Sequence, residues 1–136
     1  MGRSLRPEHL AFFRSRMSEH DLVEAYEPLD NEDEYIYLVK RRRGLPAVRV
    51  HLSDAYEYTR AEFLARPDEV TQRNSFVILG LPHALDPVHL IAEARAQGVG
   101  IGKIGKFMGA LNSRDVWTYE TPEEKRDHER KGRGRR

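Results

Sequence analysis

The chain has 136 residues, 39% of them hydrophobic and 33% charged, with a formal net charge of +1. That length suits one folded domain with a modest core rather than two cores and a linker. Without cysteine there is no disulfide framework, thiolate zinc site or cysteine nucleophile. No apolar h-region follows Met1, and no run approaches the roughly 20 apolar residues of a membrane span, so the expected setting is cytoplasmic and away from membranes.

Pro7 suits the first turn of a helix for which Ser4 is a candidate N-cap, and Leu10, Phe13 and Met17 recur at helical spacing. Ser18 with Asp21 resembles a capping box, which predicts a kink and a helical restart carrying Leu22, Val23 and Tyr26 to about Glu27, ahead of Pro28. Tyr35–Lys40 and Ala47–Leu52 are rich in β-branched and aromatic residues and predict a β-hairpin whose tip is Arg41-Arg-Arg-Gly-Leu-Pro46.

Thr59 and Glu62 form a second capping box, for a short helix over about Arg60–Ala65 that Pro67 stops, and Phe76–Leu79 reads as a buried strand. Gly80 and Pro82 break the chain. The clearest helix follows, with Asp86 as N-cap, Pro87 at the first position, Val88, Leu90, Ile91 and Ala94 as its apolar stripe, and Gly98 at its C-terminal cap. Val99–Ile104 alternates as a strand, Phe107, Met108 and Leu111 suggest a short helix, and Val116–Tyr119 looks like a last strand. Thr121, Pro122 and Glu124 start a charged helix that Gly132 and Gly134 end.

This order predicts an α/β fold: a single layered domain over residues 1–121, with a mixed sheet containing a β-hairpin and helices packed on it. Residues 122–136 are expected to add a charged helix and a flexible basic tail.

Charge is segregated along the chain. From Ser18 to Glu34 the eight acids Glu19, Asp21, Glu24, Glu27, Asp30, Glu32, Asp33 and Glu34 stand with no Lys or Arg, a block of −8 that suits a protein partner. Lys40, Arg41, Arg42, Arg43 and Arg49 make a block of +5, and Lys125–Arg136 makes another, with seven bases against Asp127 and Glu129. Clustered guanidinium groups on a projecting hairpin can take phosphate in bidentate fashion. Tyr35, Tyr37, Tyr56 and Tyr58 stand nearby as base-stacking or packing residues. The ending Lys131-Gly-Arg-Gly-Arg-Arg136 resembles a short RG-type tail with salt-sensitive affinity for polyanions.

Gly100-Ile-Gly-Lys-Ile-Gly105 matches G-x-G-x-x-G, but a capped helix precedes the glycines and Phe107 stands where a P-loop places its magnesium-binding hydroxyl, so no nucleotide cofactor is expected. Close packing or a strand bulge accounts for these glycines. A backbone approach to phosphate beside Lys103, Lys106 and Arg114 is the functional alternative. In His51-Leu-Ser-Asp54, strand parity puts His51 and Ser53 on one face and Asp54 on the other, against a catalytic grouping. His83 and His89 are spaced for different faces of a helix, and His9, His20 and His128 fit no metal-ligand pattern, so no metal is assigned.

The element order from Pro7 to Ile104 resembles the restriction-endonuclease-like, or PD-(D/E)xK, core, in which a helix precedes a strand meander, a second helix and further strands. That resemblance implies an acid on one strand and a Glu-x-Lys on the next, holding a metal that positions water for phosphodiester hydrolysis. Asp33 or Glu34 stands for the first acid, whereas the second strand reads Arg49-Val-His51, a departure from the motif. A nuclease would then need other ligands among Glu24, Asp33, Glu34 and Asp54.

The leading expectation is a nonenzymatic nucleic-acid-binding domain contacting DNA or RNA backbone. Its candidate contacts are Lys40, Arg41, Arg42, Arg43, Arg49, Lys103, Lys106, Arg114, Arg133, Arg135 and Arg136, with no catalytic residue assigned. A protein–protein adaptor, or a small subunit of a larger complex, is the alternative from another class.

Overall fold

A computed structural model of the chain describes residues 7–29, 35–55, 57–80 and 87–133, with backbone alone at 128 and 131–133. The expectations placed on Ser4, Asp30–Glu34, Tyr56, His83, Asp86, Arg135 and Arg136, and on the side chains of His128 and Arg133, lie outside the described residues. In chain order the elements are α1 (Pro7–Glu19), β1 (Val23–Pro28), β2 (Ile36–Arg41), β3 (Val48–Ser53), α2 (Arg60–Leu64), β4 (Ser75–Leu79), α3 (Val88–Ala96), β5 (Val99–Lys103), α4 (Ile104–Ala110) and α5 (Pro122–Arg133). Single 3-10 turns lie at Asp68–Val70 and Val116–Thr118.

Period-two burial organises the sheet. Along β3, Val48, Val50 and Leu52 are buried while Arg49, His51 and Ser53 on the opposite face are half-buried. The five strands lie in the order β1-β2-β3-β4-β5, the first three as an antiparallel meander and the last three parallel. The register Arg49–Ser75–Val99 at one end and Ser53–Leu79–Lys103 at the other keeps the parallel strands level. Parallel neighbours need crossovers, which α2 and α3 supply.

Helices cover both faces. Phe13 and Met17 of α1 and Phe107 and Ala110 of α4 pack with Tyr37, Val39, Val50, Phe76 and Ile78. Phe63 of α2 and Leu90 and Ala94 of α3 pack on the other face with Val77, Leu79, Val99 and Ile101. The result is an α/β domain with a mixed sheet, as the element order predicts. Among the described residues no helix is long and apolar enough to cross a membrane.

The capping signals work locally. Thr59 Oγ1 accepts from Glu62 N–H at 3.2 Å. Thr121 and Glu124 close a full capping box, with Thr121 N–H donating to Glu124 Oε1 at 2.9 Å and Glu124 N–H to Thr121 Oγ1 at 3.2 Å. Gly98, at φ +77°, ends α3 in the left-handed conformation glycine favours.

Two elements differ from the sequence reading. Leu22–Glu27 does not extend a helix: α1 stops at Glu19, and Val23–Pro28 pairs with β2. A register shift between Val23 and Ala25 breaks the alternation, so burial falls at Leu22, Val23 and Tyr26, a spacing that mimics a helical stripe. Val116–Thr118 is a 3-10 turn rather than a strand; it inserts Val116 into the core and lays Trp117 and Tyr119 against it.

On α3 the inward stripe is Leu90 and Ala94, with Ile91 half-buried and Val88 62% exposed instead of facing the core. Leu90→Ala is therefore expected to cost about 2–5 kcal/mol in urea unfolding through lost burial and a cavity. Val88→Ala should change stability by less than about 0.5 kcal/mol.

Candidate nucleic-acid interface

The hairpin tip is built around a buried arginine. Tyr37, Val39 and Arg41 share one face of β2, so Arg41 continues the inward row and is only 6% exposed. Its Nε donates to Pro46 O at 2.8 Å, Nη1 to Leu111 O at 3.0 Å and Ser113 O at 2.6 Å, and Nη2 to Arg114 O at 2.9 Å. Burial, then the neighbouring Arg114 charge, pull this guanidinium below its ordinary pKa, with Asp115 opposing. Arg41 thus does not project from the tip as the sequence reading had it; it ties the hairpin loop to the segment that follows α4.

The exposed cations sit around that anchor. Leu45 N–H donates to Arg42 O at 3.3 Å, closing a turn whose central residues Arg43 (φ 60°) and Gly44 (φ 70°) are both left-handed. Arg42 and Arg43 are exposed, as is Arg114. Lys40 is exposed too, but its Nζ lies 3.5 Å from Glu27 Oε1, so it meets the acidic block in the way a solvated ion pair does. Arg49 is half-buried on β3, on the opposite sheet face from Arg41.

A further cation joins this end with no sequence signal to announce it. Arg73 is exposed in the loop before β4, and its guanidinium carbon lies 4.9 Å from the ring centroid of Trp117. Asn74, at φ 66°, holds the loop: its Nδ2 donates to Ala47 O at 2.8 Å beside the hairpin, and its N–H to Gly98 O at 2.8 Å. The Arg73 loop is thus tied through Asn74 to Ala47, next to the Pro46 carbonyl that Arg41 binds along with that of Arg114.

Lys103 and Lys106 belong to the other end of the sheet. Lys103 is four residues along β5 from Val99, about 13 Å away at strand rise. There, a cleft of about 1010 Å³ opens between α3, the β5–α4 junction and α5. Lys106 Nζ lies 3.0 Å from Glu124 Oε2, with the lysine side chain 9% exposed. Burial opposes ionisation of Glu124, but hydrogen bonds from Thr121 and Lys106 outweigh it and hold the carboxyl below its ordinary range.

The glycines do lie on a strand that runs into a helix, contrary to the context inferred from the preceding α3. No loop intervenes between β5 and α4, however. A Cβ at Gly100 would collide with the Phe76 ring and one at Gly102 with the Lys106 side chain, so these two glycines serve close packing.

Among the described residues the histidines are structural or exposed. His20 Nδ1 accepts from Leu22 N–H and Nε2 donates to Met108 O, each at 3.1 Å, which fixes the tautomer and staples α1 to α4. His9 Nδ1 lies 2.7 Å from Asp54 Oδ1 across 45 residues of sequence. His89 is exposed on α3. Tyr37 and Tyr58 are buried packing residues, and Tyr35 is half-buried with its ring 5.8 Å from that of His51. Among the described residues no group of three or more His, Asp or Glu is gathered to hold a metal ion. No family model, curated protein or solved structure matches the chain.

Arg41→Lys and Arg41→Ala should each destabilise the fold by about 2–5 kcal/mol in chemical denaturation, because no replacement spans four carbonyls. A second expectation concerns His51, whose pKa burial lowers to about 4. Between about pH 4 and the ordinary value near 6.5 the unfolded chain binds a proton that the native state does not, so stability rises with pH in that window. Lowering the pH from 7 to 5 should cost about 1–3 kcal/mol from this residue. His51→Gln, compared by urea midpoints at the two pH values, should remove that share of the loss.

Proposed function

We propose that this is a nonenzymatic nucleic-acid-binding domain that grips the phosphate backbone at the amino-terminal end of its parallel strands, through Arg42, Arg43 and Arg114. The observation that carries the reading is the Arg41 anchor. It brings Arg114, about 70 residues away in sequence, to a tip where Arg42 and Arg43 are exposed. Guanidinium groups fixed on a tethered loop lose less freedom on meeting phosphate than the same groups on a loose one.

Backbone geometry supports the reading. Arg43 occupies a left-handed conformation that glycine or asparagine adopts at lower cost. An exposed cation kept under strain points toward function rather than stability. Lys40, Lys103 and Lys106 are secondary in this scheme, the first and last being held by Glu27 and Glu124; the tail arginines 133, 135 and 136 add diffuse attraction. The nonenzymatic part of the reading is supported by Arg49 and His51 standing where the nuclease-like resemblance implies Glu-x-Lys.

Arg42→Ala/Arg43→Ala/Arg114→Ala, measured on single- and double-stranded DNA and RNA across a salt series, should weaken binding. On duplex DNA the log–log salt slope should flatten by up to about 0.9 per lost phosphate contact. Arg43→Gly should lose part of the affinity while leaving stability within about 1 kcal/mol, since it relieves backbone strain. An unchanged affinity and slope, measured against a background with Arg133, Arg135 and Arg136 changed to Ala, would instead favour a protein-docking role for this end.

A further inference from the structure

Arg73 is an exposed cation at the basic end whose stem is closely packed. A Cβ at Gly98 would meet Arg73 Cβ and Cγ at 2.9 Å and its Cα at 3.1 Å, so the absence of a side chain at Gly98 is what leaves room for the arginine stem. Asn74 turns the chain immediately after it through a left-handed conformation. The guanidinium then rests over the Trp117 ring, whose own position is fixed by the 3-10 turn that buries Val116. Among the described residues the Arg73 side chain has no hydrogen-bond or ion-pair partner.

A guanidinium laid over an indole has its second face and its N–H edge available at once. The face accepts another flat π system, and the edge accepts an anion in bidentate fashion. One ligand class offers both within a few ångströms: a nucleotide whose base is unstacked from its neighbours. A duplex offers the edge its phosphates but keeps its base faces covered.

Resting on the phosphate-binding reading above, we infer that the Arg73–Trp117 pair is a stacking platform that makes this domain a binder of single-stranded nucleic acid. An unpaired base stacks on the platform while Arg114, Arg42 and Arg43 hold flanking phosphates. Asp115, exposed beside Arg114, is the acid of this segment.

The test uses the intact chain, a fluorescein-labelled 15-nucleotide oligo(dT), the matching dT·dA duplex, and inorganic polyphosphate as an unlabelled competitor. Anisotropy gives affinity, and the emission of Trp117, the chain's one tryptophan, reports whether the strand occupies this end. The expected result is tighter binding of the single strand than of the duplex, with a change in Trp117 emission that polyphosphate does not reproduce. Arg73→Ala should weaken oligo(dT) binding about fivefold or more, in line with the loss of one base–side-chain stack. Arg73→Lys keeps the charge but not the plane; it should weaken the single strand nearly as much while leaving the duplex unchanged. Circular dichroism and urea midpoints establish that each variant folds.

Equal affinity for strand and duplex, or full activity of Arg73→Lys, would overturn the stacking platform. If the Arg42/Arg43/Arg114 variant still loses binding in that case, the phosphate-binding reading survives without it. Absence of binding to any oligonucleotide at low salt would sink both.

Discussion

A single buried guanidinium holds this architecture in the shape that matters. The carbonyls of Leu111, Ser113 and Arg114 belong to the C-cap of α4 and the irregular segment just beyond it. Arg41 supplies donors to all three, and a fourth to Pro46 in its own hairpin loop. The cation satisfies acceptors that would otherwise be costly to bury, and the acceptors hold a charge that would be costly to leave uncompensated. Leu111 and Val116 of that segment also join Tyr37, Val39 and Val48 of the hairpin in the core. The hydrogen bonds are directional, so they fix orientation where apolar packing gives proximity.

The sheet places the hairpin arginines and the cleft at opposite ends. Parallel β3, β4 and β5 begin beside the hairpin tip and finish beside Lys103, and α4 runs back from that far end to bring residues 111–114 to the near one. In open α/β sheets small ligands commonly sit beyond the carboxyl ends of the strands. Here the carboxyl end of β5 has a cleft lined by bases and acids, with Lys106 and Glu124 paired. At the amino end stand the exposed Arg42, Arg43, Arg73 and Arg114.

How much of this could be read from the chain depends on distance along it. Capping at Thr59 and Thr121, the glycine stop at Gly98 and the alternation of β2 and β3 are local, and each takes its expected form. β1 escaped because its bulge shifts one residue and turns a period of two into a helix-like 22, 23, 26. Arg41 was legible in principle: strand parity links it to Tyr37 and Val39, two aromatic or aliphatic residues that must face inward, but a run of four bases reads as surface. The Arg73–Trp117 contact joins residues 44 positions apart through a loop and a 3-10 turn. No periodicity encodes such a pairing, because what decides it is how α3 and α4 fold their ends back against the sheet.

The distribution of backbone strain closes the argument. Among the described residues only two non-glycine residues have positive φ, Arg43 and Asn74. One is an exposed arginine of the tip; the other directly follows Arg73 and bonds to Ala47 beside that tip. A fold selected only for stability would place glycine at both turns, as it does at Gly44 and Gly98. Asn74 has a packing reason, since its side chain joins the two loops, and asparagine tolerates this conformation better than most residues. Arg43 has no such contact to its credit, and its long side chain points its cost at solvent. The turn from Arg42 to Leu45 requires that conformation, and with arginine rather than glycine in it a guanidinium stands exposed on the loop that Arg41 ties down, next to the other arginines of the same end.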